Sequence, residues 1–107
     1  MIIYNVTISI DQEAHDRWLG WMRETHIPEM LATGKFIHAR MCRVLAAEEE
    51  GGITYAIQYL SPSREMLQRY YEDDAPRLRN ETIKHFSDSL VAFRTELEVI
   101  DEQNARL

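Results

Sequence analysis

Residues 2–10 alternate without a break: Tyr4, Val6, Ile8 and Ile10 point one way, and Asn5, Thr7 and Ser9 the other. A period of two with β-branched residues throughout predicts a half-buried strand. The period then changes. Ala14, Trp18, Trp21, Met22 and Thr25 recur at three- and four-residue spacing and form one apolar helical stripe. Asp11 stands at the N-cap position, and Glu13 places negative charge in the first turn, where the helix dipole favours it. Pro28 biases Ile27 towards an extended backbone. The helix is therefore expected to end or kink near His26, with a short turn from Pro28 to Ala32 and a left-handed cap at Gly34.

Residues 36–46 read as a second strand and Ile53 to Leu60 as a third, joined by a solvated turn at Glu48, Glu49, Glu50, Gly51 and Gly52. Ser61 followed by Pro62 predicts the start of a second helix, with Met66, Leu67, Tyr70 and Tyr71 as its buried stripe. Pro76 interrupts it, and Leu78, Ile83 and Phe86 continue the stripe in a second segment. Residues 91–100 alternate again, with Val91, Phe93, Thr95, Leu97 and Val99 against Arg94, Glu96 and Glu98. Residues 1–100 are thus expected to form one domain, followed by a polar tail over 101–107.

Charge orders the strands. The first and third carry none, whereas the second and fourth carry Arg40, Arg43, Arg94, Glu96 and Glu98. Charge protects edge strands and is hard to hold in central ones. The sheet order is therefore expected to be 4-1-3-2, a ferredoxin-like βαββαβ fold of the α+β class, antiparallel, with both helices on one face. With Val6, Ile8, Ile57, Phe93 and Leu97 turned to the helices, the far face is expected to show Ile3, Asn5, Thr7, Thr54, Ala56, Gln58, Arg94 and Glu96. Such a mixed surface either meets water or forms a self-complementary two-fold interface.

The overall balance narrows the function classes. The 107 residues carry a net charge of -6, which disfavours nucleic acid, because phosphate binding draws on clustered Lys and Arg. Tyr55 and Tyr59 would suit base stacking on an open sheet, but the basic surroundings are missing. Cys42 is the single cysteine, so neither an intrachain disulfide nor a cysteine zinc site is expected. The start lacks a basic leader region, and no apolar run approaches the ~20 residues of a membrane span. A cytoplasmic protein without a membrane partner is the expectation.

Candidate chemistry is sparse. His26, near the expected helix end and followed by Pro28 and Glu29, would serve as acid, base or ligand hook, or would only close the helix. His85 would face a ligand between helices and sheet, or lie on an exposed helix face. Trp18 and Trp21 either build core or line an aromatic pocket, with Trp21 nearer the edge of the stripe. Tyr4 and Tyr55 supply core bulk with a hydroxyl available to a ligand. No His or carboxylate pair has metal-ligand spacing, so neither a metal nor another cofactor is expected.

The segments MIIYNVTISID, HDRWLGWMRETHIPEMLATGKF, GGITYAIQYL, APRLR and AFRTELEV resemble a family of short bacterial proteins known as a domain of unknown function. The resemblance spans nearly the whole chain and is most specific from Trp21 to Phe36. It implies the dimeric α/β barrel superfamily, in which two ferredoxin-like subunits pair sheet to sheet, and hence a homodimer through the open sheet face. It implies no activity. Within that superfamily, haem-degrading monooxygenases use an Asn on the first strand, a Trp on a later strand and a His on the second helix. Asn5 and His85 match two of these, and the Trp is missing. Two readings follow: a homodimeric binding or accessory protein for a small molecule, or a cofactor-free enzyme, monooxygenase-like or isomerase-like, acting on a small aromatic molecule near His26, Asn5 and Trp21. The second needs a cavity of about 300 Å3 between the first helix and the sheet.

Overall fold

The computed structural model describes residues 1–48 and 53–106. Strand β1 spans Ile2–Ile10 and leads into α1, Gln12–Trp21. A π-helical turn, Met22–His26, joins α1 to α2, Ile27–Ala32. Then follow β2 (His38–Arg43), α3 (Leu45–Glu48), β3 (Thr54–Ser61), α4 (Arg64–Asp73), α5 (Ala75–Phe86) and β4 (Leu90–Glu98). The sheet is antiparallel throughout, in the order β2-β3-β1-β4. The two charge-free strands occupy the centre, as their composition predicts. The expected turn at Glu48 to Gly52 lies, apart from the backbone of Glu48, outside the described residues.

One face of the sheet carries the core. Tyr4, Val6, Ile8, Tyr55, Ile57 and Tyr59 point into it from β1 and β3. Trp18 from α1, Met30 from α2, and Leu67, Tyr70 and Leu78 from α4 and α5 close over them, all buried. Aromatic rings dominate one end. Tyr4 lies within 6.2 Å, centroid to centroid, of Phe36, Tyr59, Tyr70 and Tyr71.

The first helix does not end at His26. Ile27 is helical, at φ -61° and ψ -46°, and its N–H reaches back five residues to the Met22 carbonyl. A proline in an α-helix lacks the N–H that would bond four residues back, and its ring collides with that carbonyl. The widened turn just before Pro28 relieves both conflicts and lets the chain continue to Ala32. The left-handed position falls at Gly34, with φ 78°.

Two local expectations need correction. The cap of α4 is Ser63, whose hydroxyl accepts the Met66 N–H at 3.1 Å, and not Ser61. Ser61 ends β3, fully buried, and donates to the Lys35 carbonyl at 3.1 Å. Ile83 is 58% exposed and lies off the buried stripe of α5. The break between α4 and α5 falls at Asp74. There Lys35 Nζ meets Asp74 Oδ2 at 2.8 Å, tying the loop after α2 to the helix junction.

The larger correction concerns β4. Directly opposed residues share a face, and the register sets Arg94 against Val6 and Glu96 against Tyr4. Arg94 and Glu96 are therefore on the helix side, whereas Phe93 and Leu97 share the open face with Thr7 and Ile3. Val91, Phe93 and Leu97 are 72%, 61% and 42% exposed there. The open face is thus more apolar than its charge pattern suggested. On the helix side the strand offers Ala92 and Arg94 instead of two bulky apolar groups, which leaves space beneath α5.

Candidate functional site

That space is a cavity of about 290 Å3, at the lower end of the usual range for ligand sites. Its floor is Tyr4, Val6 and Ile8 of β1, Ile57 and Tyr59 of β3, and Ala92 and Arg94 of β4. Arg79, Thr82, Ile83 and Phe86 recur at three- and four-residue spacing and give it one face of α5. Met22, His26 and Met30 close it from the first helical stretch, and Tyr70 from α4.

The widened turn aims His26. Its ring stacks on Trp21, with centroids 4.8 Å apart and planes 19° from parallel. Its Nδ1 is buried and has no hydrogen-bond partner among the described residues. Burial first, and then the positive charge of Arg94, lower its pKa from 6.5 to about 4. His26 is therefore neutral near pH 7 and offers one donor and one acceptor nitrogen.

Arg79 donates from Nη2 to the Tyr4 hydroxyl at 3.0 Å, and its guanidinium lies 5.9 Å from the centre of the Tyr71 ring. Its Nε is buried without a partner. Tyr59 and Tyr70 are held above the usual phenol range, chiefly by burial and then by neighbouring tyrosines. Both stay protonated, and Tyr70 donates to Met30 Sδ at 3.4 Å.

Of the residues singled out from sequence, the structure brings His26 and Tyr4 together in the cavity wall. Trp21 backs His26 without lining the cavity and also meets Phe86 and His85, at 5.2 and 5.7 Å. His85 is exposed, 3.7 Å from Glu81 one helical turn earlier, and does not line the cavity. Tyr55 lies at another part of the core, where its hydroxyl and His15 Nε2 are 2.7 Å apart. Asn5 is on the open face, where Nδ2 donates to Thr7 Oγ1 at 3.1 Å. The sheet itself separates it from His26.

Sequence reasoning missed Arg79 and Arg94. Arg79 stood in the APRLR segment, one helical turn before Thr82, and Arg94 was assigned to the other face. Only the β1–β4 register shows that both reach one cavity. Among the described residues, no cluster of three or more His, Cys, Asp or Glu is arranged to hold a metal ion. None of their helices is long and apolar enough to cross a membrane.

Two solved structures share the fold. A dimeric ferredoxin-like protein from an uncultured marine organism matches with a TM-score of 0.68 at 12% identity, covering 98% of this chain and 100% of its own. An ethyl tert-butyl ether (EthD) family protein from Bacillus halodurans C-125 matches with a TM-score of 0.65 at 14% identity, covering 92% and 100%. No curated protein sequence matches the chain. At sequence level the match is to a family model described as domain of unknown function (DUF4286), over residues 1–100, and the chain belongs to that family.

Proposed function

We propose that the chain is a homodimeric small-molecule-binding protein that holds its ligand beneath α5 and pairs through the open sheet face. The cavity carries the reading. It is walled mainly by apolar side chains, with a few converging polar groups, the usual make-up of a ligand site. His26 favours binding over catalysis, because a general base works best with a pKa near the operating pH, and its own is about 4. The exposed row of Val91, Phe93 and Leu97 on the open face supports the dimer, as does the description of one structural neighbour as dimeric.

A thermal-shift screen against small metabolites tests the reading, since a ligand that binds only the folded state raises Tm by mass action. Filling the cavity through Ala92→Phe is expected to abolish the shift. A screen without any stabilising compound, or an unchanged shift in the filled variant, overturns it. The alternative is a cofactor-free enzyme acting on a small aromatic molecule. It draws on the unpartnered imidazole nitrogen in the cavity wall and predicts that the bound compound is converted on incubation, which mass spectrometry detects.

A further inference from the structure

We infer that the ligand is a single-ring apolar carboxylic acid, its carboxylate held by Arg79 and Arg94 and its ring among Met22, Met30 and Phe86. This rests on the reading of the cavity as a ligand site. The sign of the charge is the first argument. The chain has 18 acidic and 12 basic residues, yet no Asp or Glu lines the cavity, while Arg79 and Arg94 do. An acidic protein that concentrates cations in one recess creates there a local field for an anion.

The second argument is pairing. Neither Arg79 nor Arg94 has a carboxylate within ion-pair distance among the described residues, whereas Lys35, Arg64 and Arg77 do. Arg79 is half-buried and its Nε is buried without a partner, a costly state for a guanidinium without a counter-charge. Arg94, by contrast, is exposed and free to swing onto a ligand. Arg79 and Arg94 line the same cavity, one from α5 and the other from β4. Glu96, two residues after Arg94 on the same face, lies outside the cavity lining and takes the Tyr71 hydroxyl at 2.8 Å.

The third argument separates a carboxylate from a phosphate. Phosphate sites use the N-terminus of a helix or a cradle of backbone N–H groups. The cavity lining contains no glycine and no residue from the first turn of α4 or α5. Two arginine forks hold a carboxylate or a phosphate alike, so it is the missing glycine cradle and helix start that favour the carboxylate. The volume, near 290 Å3, takes one ring together with its carboxylate, since a cavity of about 150 Å3 already holds benzene.

Calorimetric titration with benzoate, phenylacetate, their amides and phenyl phosphate tests the inference. The acids are expected to bind about ten-fold or more tightly than the amides, from the strength of charge-assisted bonds. Arg94→Gln is expected to remove that preference while leaving the melting temperature near wild type, because Arg94 makes no described hydrogen bond or ion pair. Arg79→Gln is expected to do the same, with some loss of stability from the Tyr4 contact. Equal binding of acids and amides, tighter binding of phenyl phosphate, or an unchanged preference in Arg94→Gln overturns the inference. If neutral compounds from the screen bind and the acids do not, the inference falls and the binding reading stands. If nothing binds, both fall.

Discussion

Trp21 and His26 stack face to face, 4.8 Å between ring centroids, although they stand five positions apart in the chain. Around an α-helix of ~3.6 residues per turn, positions five apart point about 140° away from each other. The π-helical turn Met22–His26 brings them into line. The same turn accommodates Pro28 and sets the imidazole in the cavity wall. One backbone irregularity therefore reconciles a proline with a continuous helix and places a polar group where a ligand would meet it.

His26 makes the stability of the fold depend on pH. Its folded pKa of about 4 lies below the ordinary 6.5, so between these values the unfolded chain holds more protons. Stability is lost as pH falls from 6.5 towards 4, by up to about 3 kcal/mol. Urea unfolding at pH 7, 5.5 and 4.5 measures this, and a His26→Gln variant is expected to show a shallower decline. Parallel curves for the two proteins would remove His26 as the cause.

The open sheet face predicts the oligomeric state. Wild-type protein at micromolar concentration is expected to sediment as a dimer and Phe93→Asp as a monomer, since Phe93 is 61% exposed in one copy. The variant is expected to retain its far-ultraviolet circular dichroism. A wild-type monomer at that concentration contradicts the homodimer.

Lys35 holds the loop after α2 against the start of α5. Lys35 and Asp74 side chains are each 12% exposed and 2.8 Å apart. Replacing one partner of a buried pair leaves the other charge stranded, and Lys35→Met is expected to cost about 3 kcal/mol. Arg77, 3.4 Å from Asp74, offsets part of the loss. A denaturation midpoint equal to wild type would show that the pair contributes nothing.

Gly20 offers the opposite result. It sits inside α1, and a Cβ added there meets no atom within 4 Å. Gly20→Ala is expected to raise stability by about 0.5–1 kcal/mol through a smaller loss of backbone entropy. A lower Tm would mean that the site is more crowded than a single copy shows.

The sequence by itself determined the four strands, the two main helical regions and the order of the strands in the sheet. It did not determine the helical form of α2 or the short α3, which stand where a turn and the end of a longer second strand were expected. Alternation in residues 2–10 and 91–100 marked two strands, and the absence of charge from β1 and β3 placed both at the centre. These signals are local, because period and charge follow directly from which backbone sits beside water. Tertiary structure alone decided which way β4 faces. Its alternation is equally regular in either register, and a shift of one residue exchanges the two faces. Pairing Val6 with Arg94 turned Phe93 and Leu97 outward and Arg94 inward, which produced the apolar sheet surface and the cationic cavity together. The π-helical turn was hidden for a related reason. Pro28 predicts a conflict with a regular helix, but packing of Met22 and Met30 into the core decides whether the chain stops or widens its turn. Arg79, Arg94 and His26 lie far apart in sequence, and nothing short of the folded sheet and helices brings them to one cavity.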